Sequence, residues 1–333
     1  NHRNGVPTLH KSAMKMKELV WEAHSGDPPM TPGGSRAPSP KTDRVTLEDL
    51  DDPRAEAWNE YSALQKTEGS FVLKFREAAV RPAHCNYNVL VNSGRTSSYG
   101  DEHGGFNAQQ LPRLPGVREC LEARPGHVLA VCDFDSQEMR TWAEACSEIV
   151  GRSVLAERYR SDPEFDPHTA FAANLLGISE EEAFARKKAK DPELKTARQN
   201  AKPGNFGAPG GMAVEGLIHY ARSYAGLKWR DAENCRGCAT RGPSWEHACF
   251  AARVRDAWFR QWPEALEYFA HTSSIGREEC GTVVSLYSLR KRGRVGFTDC
   301  SNHYFQALAA DASKRALWRV VRACYDPSLG SPL

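Results

Sequence analysis

Residues 128–132, Val-Leu-Ala-Val-Cys, form an unbroken apolar run that ends at Asp133. A short run of this kind, bounded by polar residues, predicts a buried strand. Beyond it Met139, Trp142, Ala143, Cys146 and Ile149 recur at helical spacing, so the pattern predicts a strand that ends in Asp133 and turns into a helix. Helical periodicity also marks residues 54–68, with Trp58, Tyr61, Leu64 and Gln65, and residues 170–186, 192–206 and 245–271. The stretch Gly207-Ala208-Pro209-Gly210-Gly211 is a strong stop after the segment 192–206. A last helix is predicted over 304–324, with Phe305, Leu308, Ala312, Leu317, Val320, Val321 and Cys324 on one face. Residues 25–54 lack periodicity and predict a loop, and residues 227–243 form a Gly- and Cys-rich insertion. Residues 92–115 are rich in Gly, Ser, Asn and Gln and predict an ordered surface loop with a function.

Composition changes this picture little. With 333 residues the chain can bury a large core in more than one subdomain, and 40% hydrophobic with 26% charged residues is the balance of a globular protein. No apolar run approaches the roughly 20 residues of a membrane span, and no signal peptide is visible. The net charge of +2 is small, but residues 281–333 carry eight Lys/Arg against three Asp/Glu, which fits a nucleic-acid surface or a solvated face equally well. Ten scattered cysteines suit a reducing cytoplasm. One group, Cys235-x2-Cys238 with His247 and Cys249, has the chemistry of a tetrahedral zinc site, although His247 and Cys249 stand unusually close. Free cysteines in a Gly-rich loop are the alternative.

Two further constellations bear chemistry. A carboxylate fixed at a strand end suits a hard divalent cation, which makes Asp133 a candidate metal ligand. Asp135-x-x-Glu138 also fits a capping box, which would occupy both side chains locally, and the pattern leaves both uses open. Arg198, Lys202 and Phe206 stand four apart and form one helical stripe, suited to a triphosphate and its base or to a solvated basic face above a core ring. His168, in Asp166-Pro167-His168-Thr169, would add a phosphate donor.

Together these segments carry a resemblance. Asp133-Phe134-Asp135-Ser136-Gln137-Glu138-Met139-Arg140 resembles motif A of family A DNA polymerases. Arg198-Gln-Asn-Ala-Lys202-Pro-Gly-Asn205-Phe206-Gly207 resembles their motif B. Ser93-Gly94-Arg95-Thr96-Ser97-Ser98 with Asn107-Ala-Gln109-Gln-Leu-Pro112 is similar to the primer–template loop. Asn302-His-Tyr-Phe-Gln306 with Ala309-Ala310-Asp311 is similar to the segment before the last catalytic motif. The four occur in the family's order over residues 86–324, and residues 63–66 weakly resemble the thumb.

The resemblance implies an α+β, right-hand polymerase fold: a thumb, a palm with an antiparallel sheet, and mostly helical fingers. Residues 1–92 would be partial thumb and thumb–palm connection, 93–160 palm, 161–285 fingers and 286–333 palm return. The implied activity is template-directed DNA synthesis from dNTP on primer–template DNA, by a cytoplasmic monomer (in the bacterial host if phage-encoded). Asp133 and the Phe134 carbonyl would bind a pair of Mg2+ ions. Arg198, Lys202 and His168 would grip phosphates, with Lys202 a proton donor to pyrophosphate, and Phe206 would lie against the base or ribose. Glu138 would exclude a ribose 2′-hydroxyl, which argues against an RNA polymerase. Arg95, Asn107, Gln109, Asn302 and Gln306 would contact DNA.

Departures accompany the match. Gly210 stands where a Tyr is usual, Asp135 where a Ser is usual and Gln199 where a second Arg is common; the Asp133-Phe-Asp-Ser and Pro209-Gly-Gly variants look more like bacteriophage members. The family's His-Asp-Glu motif, which supplies a second metal-binding aspartate, has no counterpart before Leu333, and Asp326 has the wrong neighbours. The expectation is a chain truncated before that motif, with any proofreading domain upstream, that binds primer–template weakly and polymerises little alone. The alternative is a polymerase-derived DNA-binding remnant without catalysis.

Overall fold

A computed structural model of the chain describes residues 2, 3, 6, 7, 21, 40, 44–48, 52–78, 84–100, 105–227, 229 and 250–329. Among these the chain is predominantly helical, and its short strands pair only as two-stranded sheets. Contacts group into two compact units: Asn1–Tyr87 with Ser98–Leu129, and Asn88–Ser97 with Ala130–Leu333. No helix among the described residues is long and apolar enough to cross a membrane.

In the first unit β1 (His2–Arg3) pairs antiparallel with β2 (Val6–Pro7). Helix α1 (Arg44–Glu48) lies within the segment expected to be loop, and α2 (Pro53–Thr67) follows it. Asp52 caps α2 by accepting from the Arg54 amide at 2.7 Å, and Pro53 suits the first helical turn, where no intrahelical donor is needed. Leu47 and Ala55 are buried here, with Trp58 packed against them. A π-helical turn (Glu68–Val72) leads into α3 (Leu73–Ala78), where Phe75 meets Phe106 edge-on at 5.1 Å and the Lys74 ammonium donates to the Gly105 carbonyl. The unit boundaries fall within the short strands β3 (Asn86–Asn88) and β4 (Ser97–Tyr99).

The second unit holds the large core. Helix α4 (Gln137–Val150) buries Met139, Trp142, Ala143 and Cys146, the face predicted from spacing. The segment 170–186 is two helices, α6 (Pro167–Leu176) and α7 (Glu180–Lys188), after α5 (Val154–Ser161). The break falls where Ser179 caps α7, its hydroxyl accepting from the Glu182 amide. Helix α8 (Pro192–Gly207) packs along α6, then α9 (Val214–Ala225) follows the Pro-Gly-Gly stop. The described part of the segment 245–271 resolves into α10 (Phe250–Gln261) and α11 (Glu264–Gly276), divided at Pro263. Trp142 meets Trp258 at 5.2 Å and Tyr268 at 6.2 Å, which joins α4, α10 and α11 in one core. Strands β5 (Thr282–Val284) and β6 (Lys291–Gly293) pair antiparallel ahead of α12 (Phe297–Cys324), which packs on α4 and α11.

Two expectations need correction. Residues 128–132 form no strand: Val128 is 89% and Val131 90% exposed. An isolated extended segment satisfies its backbone only through water, and no described strand pairs with this one, so neither half of the prediction is met. The last helix is longer than predicted, but its apolar face is buried only as far as Ala310. Leu317, Val320 and Val321 are exposed, as is Trp318, because no described element covers that end.

Candidate functional site

The second unit contains an open cavity of about 720 Å³, within the range of small-molecule sites. One wall is the turn Asp133-Phe134-Asp135-Ser136 with the first residues of α4. Here Ser136 is left-handed (φ 50°), a rare backbone state for a non-glycine residue, and makes no side-chain cap bond. The capping box is therefore absent: among the described residues the Asp135 carboxylate accepts from the Ser136 hydroxyl alone, and Glu138 pairs with Arg95. Arg140 holds the turn through the Asp135 carbonyl at 3.2 Å, while its guanidinium lies 4.2 Å over the Tyr159 ring. Gln137 ties the start of α4 to α12, its amide donating to the Ala309 carbonyl and the Ser313 hydroxyl at 2.9 Å each. These bonds hold the turn that follows Asp133, and no strand precedes it.

The other wall is α8, which presents Arg198, Lys202 and Phe206 to the cavity as the four-residue spacing predicts. Gly204 lets α8 approach α6: a Cβ there would lie 2.8 Å from Phe171 Cε1. Asp166 caps α6 through the His168 and Thr169 amides. Its side chain also accepts from Arg198 at 2.7 Å, Lys187 at 2.8 Å and the Thr169 hydroxyl at 2.7 Å. Burial opposes ionisation of Asp166, but the bonds from Lys187 and Thr169 and the charges of Arg198 and Lys187 hold it well below the usual carboxylate range. Arg198 is thus fixed by Asp166 and Thr169, and among the described residues its Nη1 is uncommitted. Among the described residues Lys202 has no ion-pair or hydrogen-bond partner, and neither has Asp133.

His168 is buried, and burial brings its pKa down to about 4; the charges of Arg198 and Lys202 add to this against the opposing pull of Asp166. The ring is neutral near pH 7. Its tautomer is fixed by Asn205, which is fully buried on α8. The Asn205 amide nitrogen faces the Pro167 carbonyl at 3.2 Å, which can only accept, and lies 3.1 Å from His168 Nδ1. Nδ1 therefore accepts, and Nε2 is left to carry the proton.

The aromatic side of the cavity is a row of rings. His168 meets Phe206 edge-on at 5.0 Å, Phe206 meets Tyr224 edge-on at 5.7 Å, and Tyr224 stacks on Tyr220 at 5.3 Å and 13°.

The cavity therefore gathers Arg95, Asp133, Phe134, Glu138, His168, Arg198, Lys202 and Phe206 from the sequence-derived set. Asn107 and Gln109 belong to the first unit, where both side-chain oxygens hold Ser98. Asn302 and Gln306 bond each other along α12 and do not line the cavity. The group Cys235, Cys238, His247 and Cys249 lies outside the described residues. Asp166, Lys187, Asn205, Tyr220 and Tyr224 were not anticipated. Asp166-Pro167 reads locally as a helix start and no more, whereas the i,i+4 spacing of the two tyrosines was a visible signal.

As a cation site the cavity offers the turn that carries Asp133, Phe134 and Asp135. This oxygen set fits one Mg2+ of the kind held by one or two carboxylates together with substrate phosphates and water. Comparison of the chain with protein-family models and with curated proteins found no match.

Proposed function

We propose that the chain carries the nucleotide-binding part of a template-directed DNA polymerase with a right-hand arrangement, joining a dNTP to a primer 3′-hydroxyl with release of pyrophosphate. One observation carries the reading. Uncommitted Asp133 and Lys202, from segments that resemble two polymerase motifs, face one cavity together with Arg198, neutral His168 and Phe206. A carboxylate turn opposite fixed cations and a ring is what a metal-bound nucleoside triphosphate requires.

Mg2+, when bound, reduces the charge of the triphosphate and activates the 3′-hydroxyl. The chain's own groups do the rest. Arg198, locked by Asp166 and Thr169, offers its free Nη1 to phosphate at little ordering cost. Lys202 neutralises the developing charge and gives a proton to the departing pyrophosphate. His168 donates from Nε2. Phe206 lies against the base or ribose, and Glu138, tied to Arg95, occupies the space beside the 2′ position.

Equilibrium binding of dATP with Mg2+, followed by calorimetry, tests this directly. The wild-type chain is expected to bind, Lys202→Ala to weaken binding about tenfold or more (~1.4 kcal/mol), and Asp133→Ala to remove the Mg2+ dependence. Absence of Mg2+-dependent binding by the wild-type chain would end the proposal.

A further inference from the structure

The turn between β5 and β6 is strained. Tyr287 (φ 63°) and Leu289 (φ 56°) are both left-handed, a costly state for non-glycine residues that persists only where surrounding contacts impose it. The Tyr287 hydroxyl donates to Glu144 of α4 at 2.6 Å, the Ser285 hydroxyl lies 2.8 Å from His303 Nε2 on α12, and Arg292 Nη2 donates to Asp299 at 2.7 Å. Held in this way, the turn delivers Arg290 to α12, where its Nη2 donates to Asp311 at 2.9 Å. The Arg290 guanidinium then fills the space that a Cβ would need at Gly94, itself left-handed (φ 79°). Resting on the polymerase reading, we infer that Arg290 is a positioning residue for the sugar side of the cavity: it buttresses the Gly94 turn and so places Arg95, which holds Glu138 beside the 2′ position.

Arg95 needs such support. Its side chain is 51% exposed, so burial does not fix it. It reaches the cavity from a short turn closed by the Gly94 amide, which donates to the Val91 carbonyl at 2.8 Å. Glu138 is paired with Arg95, so a shift of this turn carries the pair with it. Tethering the hairpin to α12 would not by itself call for a guanidinium against Gly94, since Ser285 and Arg292 already make that connection. Asp311 offsets the charge of Arg290 and so reduces its repulsion of Arg95. All of these residues belong to the second unit.

The test compares binding of dATP and ATP, each with Mg2+, by calorimetry. The ratio of the two affinities reports on Glu138, whereas damage to the fold lowers both. The wild-type chain is expected to prefer dATP. Arg290→Ala should narrow that preference by about threefold or more, within the range of couplings inside one ion-pair network, chiefly by admitting ATP. Arg290→Lys keeps a charge for Asp311 but not the planar group against Gly94. It should narrow the preference too, and it serves where the alanine variant fails to fold. In an Arg95→Ala chain, whose preference is already reduced, Arg290→Ala should add nothing. An unchanged ratio in Arg290→Lys, or an equal effect of Arg290→Ala with and without Arg95, overturns the buttress; with Mg2+-dependent dATP binding intact, the polymerase reading stands. Equal wild-type binding of dATP and ATP removes the role of Glu138 and this inference with it. Wild-type chain that binds neither nucleotide overturns the inference and the polymerase reading together.

Discussion

Asn205 illustrates how a residue outside the cavity decides what one inside it can do. Its amide nitrogen sits between an obligate acceptor, the Pro167 carbonyl, and His168 Nδ1, so the imidazole carries its proton on Nε2. Asn205→Asp replaces that donor with a carboxylate, which stabilises a proton on Nδ1. Nitrogen-15 NMR of His168 is expected to show the Nε2–H tautomer in the wild-type chain and a raised pKa with Nδ1 protonated in the variant; an unchanged tautomer would show that Asn205 does not control it. His168 also makes a pH prediction. Its pKa falls from 6.5 to about 4 on folding, so between those values the unfolded chain holds more protons. The stability it contributes is full above about pH 6.5 and is lost as pH falls toward 4, by up to ~1.4 kcal/mol per pH unit. Urea midpoints across that window should fall less steeply in His168→Gln than in the wild-type chain, the comparison separating His168 from His303, which burial also brings to about 4. Phosphate binding through neutral His168 should stay flat from pH 7 to 8. At this scale sequence was informative: Arg198, Lys202 and Phe206 share a cavity because helix spacing alone puts them on one stripe. Asp166 was legible only as a cap, since its bonds to Arg198 and Lys187 cross 32 and 21 positions of sequence.

Elements were legible in kind and less so in extent and burial. The apolar face of α4 is largely buried as its periodicity implied, whereas of the face predicted for the first half of α12 Phe305 is buried, Leu308 half-buried and Ala312 exposed. The run 128–132 was misread because apolarity records a need for cover and says nothing of whether a partner strand is there. The same holds for the exposed end of α12. Helix pairs carry a different signal, the small residue at a close approach. Gly204 allows α8 to meet Phe171 of α6, with a Val254 methyl 3.1 Å from where a Cβ would stand. Gly204→Ala would ordinarily favour a helix, yet here the added methyl has no room, and overpacking of this kind costs about 1–3 kcal/mol. Chemical denaturation is expected to show that loss, and Phe171→Leu in the same chain should recover part of it. A neutral or stabilising Gly204→Ala would mean that α6 and α8 do not pack this closely.

The described residues of the two contact units differ in what they bury. The second carries the contiguous core built on Trp142, Trp258, Trp262, Tyr268 and Phe171, all fully buried. The first has a satellite of Leu47 and Ala55 with Trp58, and the rings Phe71, Phe75 and Phe106. Apolar burial is the main term opposing chain entropy, so a helix with few buried side chains opens more readily than one seated in a large core. Composition and length could indicate a chain able to form more than one core, but not which segment would have the weaker one, because that depends on contacts between residues far apart in sequence. Hydrogen exchange under native conditions should therefore protect α4, α6, α8 and α10 to α12 strongly and α2 weakly. In urea the amides of α2 should lose protection before those of α4. Helices α2 and α4 opening together, with equal dependence on denaturant, would show one cooperative unit and contradict the division. The order matters for function, because the whole cavity lies on the second unit: dATP binding with Mg2+ should survive at urea concentrations where α2 has already opened.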